Sequence, residues 1–136
     1  MEPDQSKQPE LSIVVVAYNE EEYIEETLEK IIAQKTNFEY EVLCHDDAST
    51  DRTQEIIMEF VKKYPDIIIP IFQKDNKMQK GHQVIFEYCY PKARGKYIAY
   101  CDGDDYWSDV NKLQRQYDFL ESHEDYTLCL HNFDFL

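Results

Sequence analysis

Glycine is scarce in this sequence, which contains only Gly81, Gly95 and Gly103 among its 136 residues. Loops that hold phosphate groups through the backbone, such as the P-loop and the dinucleotide-binding fingerprint, need several glycines at fixed short spacings. Neither pattern can be written with three glycines so far apart. If the chain binds a phosphate compound, we therefore expect a metal ion to bridge the protein and the phosphates.

Positive charge is scarce as well. The chain has 14 lysine and arginine residues against 28 aspartate and glutamate residues, which gives a formal net charge of -14. General nucleic-acid binders neutralise backbone phosphates with a basic surface. This composition therefore argues against a nucleic-acid partner.

Long apolar runs are also missing. No run approaches the roughly 20 residues that span a bilayer, so we predict no transmembrane segment in this chain. Residues 1–9 are too polar for a signal peptide and are predicted to be a disordered polar lead. Residues 10–136 are long and apolar enough for one folded domain with a single core.

The four cysteines stand far apart and lack the two-residue spacing of a zinc site. They are Cys44, Cys89, Cys101 and Cys129. Because three of them lie in apolar, strand-like runs, we predict reduced core residues rather than disulfides or metal ligands. Reduced cysteines are typical of an intracellular protein.

Strand and helix patterns alternate along the chain. The strand-like runs cover residues 11–17, 39–45, 67–72, 96–101 and 126–136. The first run is apolar on both faces, as in an interior strand of a parallel sheet, and Pro70 places the third run at a sheet edge. Helical spacing of apolar residues separates the runs, and Asn19 is predicted to be the N-cap of the first helix. The pattern predicts an α/β fold whose mainly parallel sheet has helices on both faces.

Three polar or acidic loops each follow a strand in this scheme. They are Tyr-Asn-Glu at 18–20, Asp-Asp-Ala-Ser-Thr-Asp at 46–51 and Asp-Gly-Asp-Asp-Tyr-Trp at 102–107. The carboxyl ends of parallel strands meet at one edge of a sheet, where ligands bind. Three acids in one short turn repel one another unless a cation joins them, and Mg²⁺ and Mn²⁺ prefer such oxygen ligands. We expect a divalent metal site at this edge.

The three loops, together with Gly-Lys-Tyr-Ile at 95–98, resemble the motifs of the family 2 glycosyltransferases of GT-A fold. The resemblance covers about residues 10–121. It implies a nucleotide-sugar donor, usually UDP-linked, a Mg²⁺ or Mn²⁺ cofactor, and transfer with inversion. It also implies a carbohydrate or lipid-linked acceptor in polysaccharide or glycoconjugate synthesis. We expect such a protein on the cytoplasmic side, with the inner face of the membrane as one location.

Residue roles follow from the resemblance by motif position. Asp47 matches the carboxylate that accepts a hydrogen bond from the base, which suits the N–H of uracil. Asp102 matches the acid near the ribose and metal, and Asp104 the acid that coordinates the metal. The role of Asp105 stays open. The remaining predicted donor-binding residues are Ala17, Tyr18, Asn19, Glu20, Asp46, Ser49 and Gly103.

Other basic, aromatic and histidine side chains lie near the predicted site in the sequence, and most have a simpler structural role. Lys80 and Arg94 are candidates for the diphosphate, although no motif fixes either. We expect His45 and the Tyr106–Trp107 pair to pack rather than to bind a ligand. His131 is predicted to be a hydrogen-bonded core histidine in the last strand rather than a residue facing the metal.

An inverting transfer also needs a general base for the acceptor hydroxyl. In the resembling family that carboxylate lies well beyond the acidic turn, and Asp134 is a poor candidate for it. We therefore expect the base beyond Leu136. The chain is predicted to be a C-terminally truncated, donor-binding part that binds donor without transferring it.

Two other classes of protein use a similar sheet with acidic residues. A receiver-like signalling module needs its acid pair after the first strand, where this chain has Tyr-Asn-Glu. A metal-dependent phosphatase or nucleotidyltransferase needs a nucleophilic aspartate or a glycine-rich and basic triphosphate loop near the first strand. The sequence shows neither feature.

Overall fold

The computed structural model describes residues 8–132. In this range three α-helices flank a four-stranded sheet in which every pairing is parallel. The elements are β1 (Leu11–Ala17), α1 (Ile24–Ile32), β2 (Tyr40–Asp46), α2 (Thr53–Lys63), β3 (Ile68–Phe72), β4 (Tyr97–Asp102) and α3 (Lys112–Ser122). The predicted α/β fold with a mainly parallel sheet is confirmed.

The strand order is β3-β2-β1-β4, so the first strand of the chain lies inside the sheet. Ala17 at the end of β1 pairs with Asp46 of β2, and its neighbour Val16 pairs with Asp102 of β4. The carboxyl ends of these strands therefore meet at one edge. β3 forms an outer strand of the described sheet, as Pro70 predicts.

The main hydrophobic core lies between one face of the sheet and the three α-helices. Ile13 and Val15 of β1 are fully buried there, because apolar residues of α1 and α2 cover them. The buried apolar residues of these two helices are Ile24, Leu28, Ile31, Ile56 and Ile57. Burying a side chain of this size stabilises the fold by about 1.5–3 kcal/mol.

The opposite face of the sheet carries a smaller core, built on Val14 and Leu43. It is covered by a π-helical turn, Ile85–Cys89, which continues into a 3₁₀ turn, Tyr90–Lys92. The sequence pattern predicts an ordinary helix here. Pro91 has no N–H and cannot continue an α-helical hydrogen-bond ladder, which limits the segment to these short turns.

The predicted last strand is wrong for the residues that can be judged. Residues 126–132 form no strand, and no strand of the described sheet pairs with them. Leu128 and Leu130 are 69% and 80% exposed. A strand needs a hydrogen-bonded neighbour, and apolar residues alone do not supply one. The rest of that prediction, with Asp134, lies outside the described residues, as do residues 1–7 of the predicted lead.

The cysteine prediction is confirmed in that all four thiols are free. Cys44, Cys89 and Cys101 are buried, and Cys129 is half-buried. Burial raises the pKa of Cys89 to about 11 and that of Cys101 to about 12. These two thiols stay protonated at neutral pH and act as core residues.

The amino end of the sheet is fixed by a buried ion pair. The Glu41 carboxylate, 1% exposed, accepts hydrogen bonds from Arg94 Nε at 2.9 Å, from Arg94 N at 2.8 Å and from Ser12 Oγ at 2.7 Å. A Cβ on Gly95 would lie 2.5 Å from Ser12 N, so only glycine fits in this turn. Arg94 therefore lies at the end of the sheet opposite the acidic loops, and its candidacy for the diphosphate is wrong.

None of the described helices is long and apolar enough to cross a bilayer.

Candidate functional site

The first two predicted loops are joined directly to each other. Asn19 N donates to Ser49 Oγ at 2.9 Å, and Thr50 N donates to Asn19 Oδ1 at 2.8 Å. Glu20 N donates to Thr53 Oγ1 at 2.8 Å. The polar residues after β1 and β2 therefore form one hydrogen-bonded unit, as expected for loops that converge at a sheet edge.

Asn19 does not cap the first helix, which corrects the prediction made from its residue type. α1 begins at Ile24, and Asn19 adopts a left-handed backbone with φ of 50°. Its side-chain oxygen is used by the neighbouring loop, where Ala48 also has a positive φ of 63°. A left-handed backbone costs roughly 1–2 kcal/mol at a residue with a Cβ, so this junction is held by its surroundings.

Asp46 is fully buried inside the second loop. Its Oδ2 accepts hydrogen bonds from Ser49 N at 2.9 Å and from Gln54 Nε2 at 2.6 Å, and Ser49 Oγ donates to Oδ1. The loop and the start of α2 are therefore built around this carboxylate. Contact of Asp46 or Ser49 with a donor stays a prediction.

Asp47 connects the second loop to the polar loop that follows β3, a contact that the sequence pattern did not reveal. Its Oδ1 accepts from Lys77 N at 2.7 Å and its Oδ2 from Met78 N at 3.0 Å. The carboxylate is 3% exposed as a result. The turn at residues 75–80 follows β3, so its position at the carboxyl edge of a parallel sheet was the available signal.

This turn also holds Lys80, a candidate for the diphosphate. Lys80 Nζ and Lys77 Nζ both contact the carboxylate of Asp75, the latter at 2.7 Å. The two lysines lower the pKa of Asp75 to about 2. Any contact of Lys80 with a phosphate would have to compete with this acid.

Residues of β1 and α1 contact the backbone of the third loop and hold it in place. Gly103 N donates to Val16 O at 2.9 Å, and a Cβ on Gly103 would lie 2.9 Å from the Cβ of Ala17. Thr27 of α1 is 1% exposed, and its Oγ1 lies 2.5 Å from Asp105 O and 3.1 Å from Gly103 O. Thr27 was missed by sequence reasoning, although a polar residue beside an apolar helix stripe is a usable signal.

Three exposed carboxylates dominate this loop. Ligand oxygens of Asp102, Asp104 and Asp105 all lie within 4.8 Å of one another. Partial burial, followed by the charges of Asp104 and Asp102, raises the pKa of Asp105. Burial and the same acids also raise the pKa of Glu20, which brings the first loop into this field. The donor set consists of hard oxygen atoms with excess negative charge, which fits Mg²⁺ or Mn²⁺.

Trp107 and His45 pack as predicted, whereas Tyr106 is more exposed. Trp107 is 5% exposed, with Lys112 Nζ 4.0 Å from its ring centroid, so its packing role is confirmed, whereas Tyr106 is 39% exposed. His45 is fully buried and packs near Tyr88, as predicted for the end of a strand. Burial lowers the pKa of His45, whose Nδ1 has no hydrogen-bond partner among residues 8–132.

His131 is not a core histidine, which corrects that prediction. It is exposed, because the segment that carries it forms no strand. It also lies close enough to Asp105 for its charge to oppose the burial and acid repulsion that raise the pKa of that carboxyl.

Comparison with known proteins assigns the chain to a family. Residues 12–134 match the family described as Glycosyl transferase family 2. The chain belongs to glycosyl transferase family 2. A Mycobacterium tuberculosis relative, the uncharacterized protein Rv1520, is 45% identical over 121 residues, which cover 89% of this chain and 34% of the relative. The chain thus spans about a third of that relative's length.

Two solved structures share the fold. Staphylococcus aureus TarS, residues 1–349 in complex with UDP, is 28% identical with a TM-score of 0.65 over 85% of this chain and 33% of that chain. The Pyrobaculum calidifontis mannosyltransferase PcManGT, in complex with GDP-Man and Mn²⁺, is 25% identical with a TM-score of 0.71. That match covers 87% of this chain and 34% of PcManGT. The family 2 chain therefore has the Rossmann-like GT-A arrangement that its loops predict.

Proposed function

We propose that this family 2 chain binds a nucleoside diphosphate sugar, with a UDP-sugar as the first candidate, together with Mg²⁺ or Mn²⁺. The observation that carries the proposal is the group of three carboxylates within 4.8 Å, at the sheet edge where the loops after β1 and β2 also meet. The TarS complex with UDP and the PcManGT complex with GDP-Man and Mn²⁺ support this choice of ligand class.

The metal would be held by Asp104 and Asp102, with Asp105 as the third carboxylate of the group. When bound, the ion supplies positive charge that stabilises the diphosphate as it leaves the sugar. The chain has no glycine-rich cradle for the phosphates, so the acids of this loop bind them only through a cation. Gly103 and Thr27 keep the loop backbone in place beneath the carboxylates.

The nucleoside would lie against the first two loops. Asp47 provides the charged acceptor for the base, since an oxygen that already accepts one N–H still has a second lone pair. Its backbone N donates to Ala17 O at 3.0 Å, which fixes the two loops relative to each other. Tyr18, 38% exposed, and Glu20 provide the surface for the ring and the ribose hydroxyls.

For the whole protein we propose transfer of the sugar with inversion to a carbohydrate or lipid-linked acceptor, in polysaccharide or glycoconjugate synthesis at the cytoplasmic side. Inversion requires a carboxylate on the acceptor side of the sugar. None of the three carboxylates of the acidic loop is assigned this role, because Asp102, Asp104 and Asp105 are needed for the metal.

Calorimetric titration tests the binding proposal. UDP, GDP and CDP are each titrated with and without Mn²⁺, and we expect UDP to bind most tightly and only with the metal. Asp104→Ala should abolish this metal-dependent binding, while the matched control Asp118→Ala, at an exposed carboxylate on α3, should leave it intact. A folded sample with no metal-dependent nucleotide binding would contradict the proposal.

A further inference from the structure

β4 presents an aromatic side chain beside the acidic loop. Alternate residues of a strand lie on the same face, so Ile98, Tyr100 and Asp102 project from one side of β4. Ile98 and Tyr100 are 42% and 45% exposed. The Tyr100 hydroxyl donates a hydrogen bond to Asp102 Oδ1 at 2.6 Å. Tyr100 and Asp102 are thus linked by a side-chain hydrogen bond at the carboxyl end of β4.

The chemistry of this contact differs from that of the ion pair at the amino end of the sheet. Glu41 is matched by the guanidinium of Arg94, which neutralises its charge. Asp102 instead accepts a hydrogen bond from the neutral Tyr100 hydroxyl, and it forms no ion pair within residues 8–132. A neutral donor orients a carboxylate while leaving its negative charge available to a cation. Groups that orient the ligands of a metal in this way commonly control its affinity.

The rest of the loop is fixed by other residues. The Gly103 N–H to Val16 O hydrogen bond and the Thr27 hydroxyl hold the backbone. Neither contact reaches the Asp102 carboxylate. The side-chain rotation of Asp102 is therefore restrained by Tyr100, whose own ring is attached to a paired strand.

We propose that Tyr100 is a positioning residue, whose hydroxyl fixes the Asp102 carboxylate and so sets the affinity of the three-acid group for its divalent cation. This inference rests on the proposed function. A phenylalanine at this position would fill the same surface without the hydrogen bond, so the hydroxyl is the group to test.

The experiment measures Mn²⁺ binding alone, in the absence of nucleotide, from the electron paramagnetic resonance signal of free Mn²⁺. Tyr100→Phe is compared with the wild-type chain and with Tyr97→Phe. Tyr97 lies on the same strand, and its hydroxyl donates to Glu121 at 2.9 Å, away from the acidic loop. We expect about tenfold weaker Mn²⁺ binding for Tyr100→Phe, the lower end of the effect of losing such a contact, and no change for Tyr97→Phe.

Thermal unfolding of the metal-free proteins separates positioning from general stability. We expect Tyr100→Phe to melt close to the wild type, together with an altered spectrum of its bound Mn²⁺. Equal Mn²⁺ affinity in wild type and Tyr100→Phe would overturn the inference and leave the proposed function standing. A loss of affinity shared by both variants, in step with their melting temperatures, would overturn it too. Absence of Mn²⁺ binding by the folded wild type would instead overturn the proposed function, and this inference with it.

Discussion

Asp47 and Lys77, thirty positions apart in the chain, are joined by a 2.7 Å hydrogen bond from the Lys77 backbone N–H to Asp47 Oδ1. Met78 N donates to the other oxygen of the same carboxylate. The residue predicted to read the base is therefore also the anchor of the turn at residues 75–80. The proposed contact with the base and the order of that turn therefore depend on the same side chain.

Replacing this carboxylate should affect both properties. Asp47→Ala leaves two backbone N–H groups without their acceptor, and we expect a loss of about 1–3 kcal/mol in the free energy of unfolding by urea. We also expect weaker UDP binding, because the base loses its acceptor. Mn²⁺ binding measured without nucleotide should stay unchanged, since the three-acid group is separate. Equal losses of Mn²⁺ affinity in Asp47→Ala and Asp104→Ala would contradict this division of roles.

Thr27→Val tests the support beneath the acidic loop. The substitution keeps the shape of the side chain but removes the hydroxyl that lies 2.5 Å from Asp105 O. The same hydroxyl lies 3.1 Å from the buried carbonyl of Gly103. A buried carbonyl without its donor costs about 1–3 kcal/mol, and we expect that loss in urea unfolding together with weaker Mn²⁺ binding.

Thr36→Val is the matched control for this change. The Thr36 hydroxyl donates to Phe38 O at 2.8 Å, two residues away and far along the chain from the acidic loop. We expect its Mn²⁺ affinity to equal that of the wild type. If Thr27→Val also binds Mn²⁺ normally, the hydroxyl of Thr27 has no part in shaping the loop.

His45 predicts a pH dependence of stability. Burial lowers the pKa of His45 in the folded chain. At a pH between the folded and unfolded pKa values, His45 is therefore protonated in the unfolded chain and neutral in the folded chain. The contribution of neutral His45 to the free energy of unfolding is fully present above its unfolded pKa of about 6.5. This contribution is lost as the pH falls from there towards the folded pKa. We expect His45→Gln to show a smaller loss of unfolding free energy between pH 7 and pH 5. Identical slopes for both proteins would rule out this residue as the source.

The buried ion pair at the amino end predicts a change in stability without a change in binding. Arg94→Met leaves the Glu41 carboxylate, 1% exposed, without its cation, and such losses cost about 3–5 kcal/mol. Because the pair lies at the opposite end of the sheet from the acidic loops, UDP and Mn²⁺ affinities should be unchanged at a temperature where the variant is folded. Weaker UDP binding by the folded variant would return Arg94 to the list of donor contacts.

Periodicity in the sequence was sufficient for the sheet, because β1 to β4 are apolar runs whose burial depends on local pattern and on parallel pairing. The last predicted strand failed for a reason that no local pattern contains, since residues 126–132 have no neighbouring strand in the described sheet. The prediction that Asn19 caps the first helix is wrong for the same reason. A cap is a local choice, but the Asn19 side chain binds Thr50 across the loop boundary.

The candidate site was predictable to the extent that strand ends meet at a common edge. What the sequence could not supply are contacts between residues far apart in the chain, such as Asp47 with Lys77 and Thr27 with the acidic loop. Arg94 shows the converse. Its positive charge made it a candidate for phosphate, whereas its distance from the site follows from its place in the turn before β4, at the amino end of the sheet.

The strand order has a consequence for how the molecule assembles. β1 reaches β2 by pairing Leu11 with Tyr40, but it reaches β4 by pairing Leu11 with Tyr97, a much longer loop closure. Closing a longer stretch of chain costs more conformational entropy, and folds rich in such pairings form slowly. Because β4 carries the acidic turn, the capacity to hold a cation depends on the pairing that closes the longest stretch of chain in the described sheet.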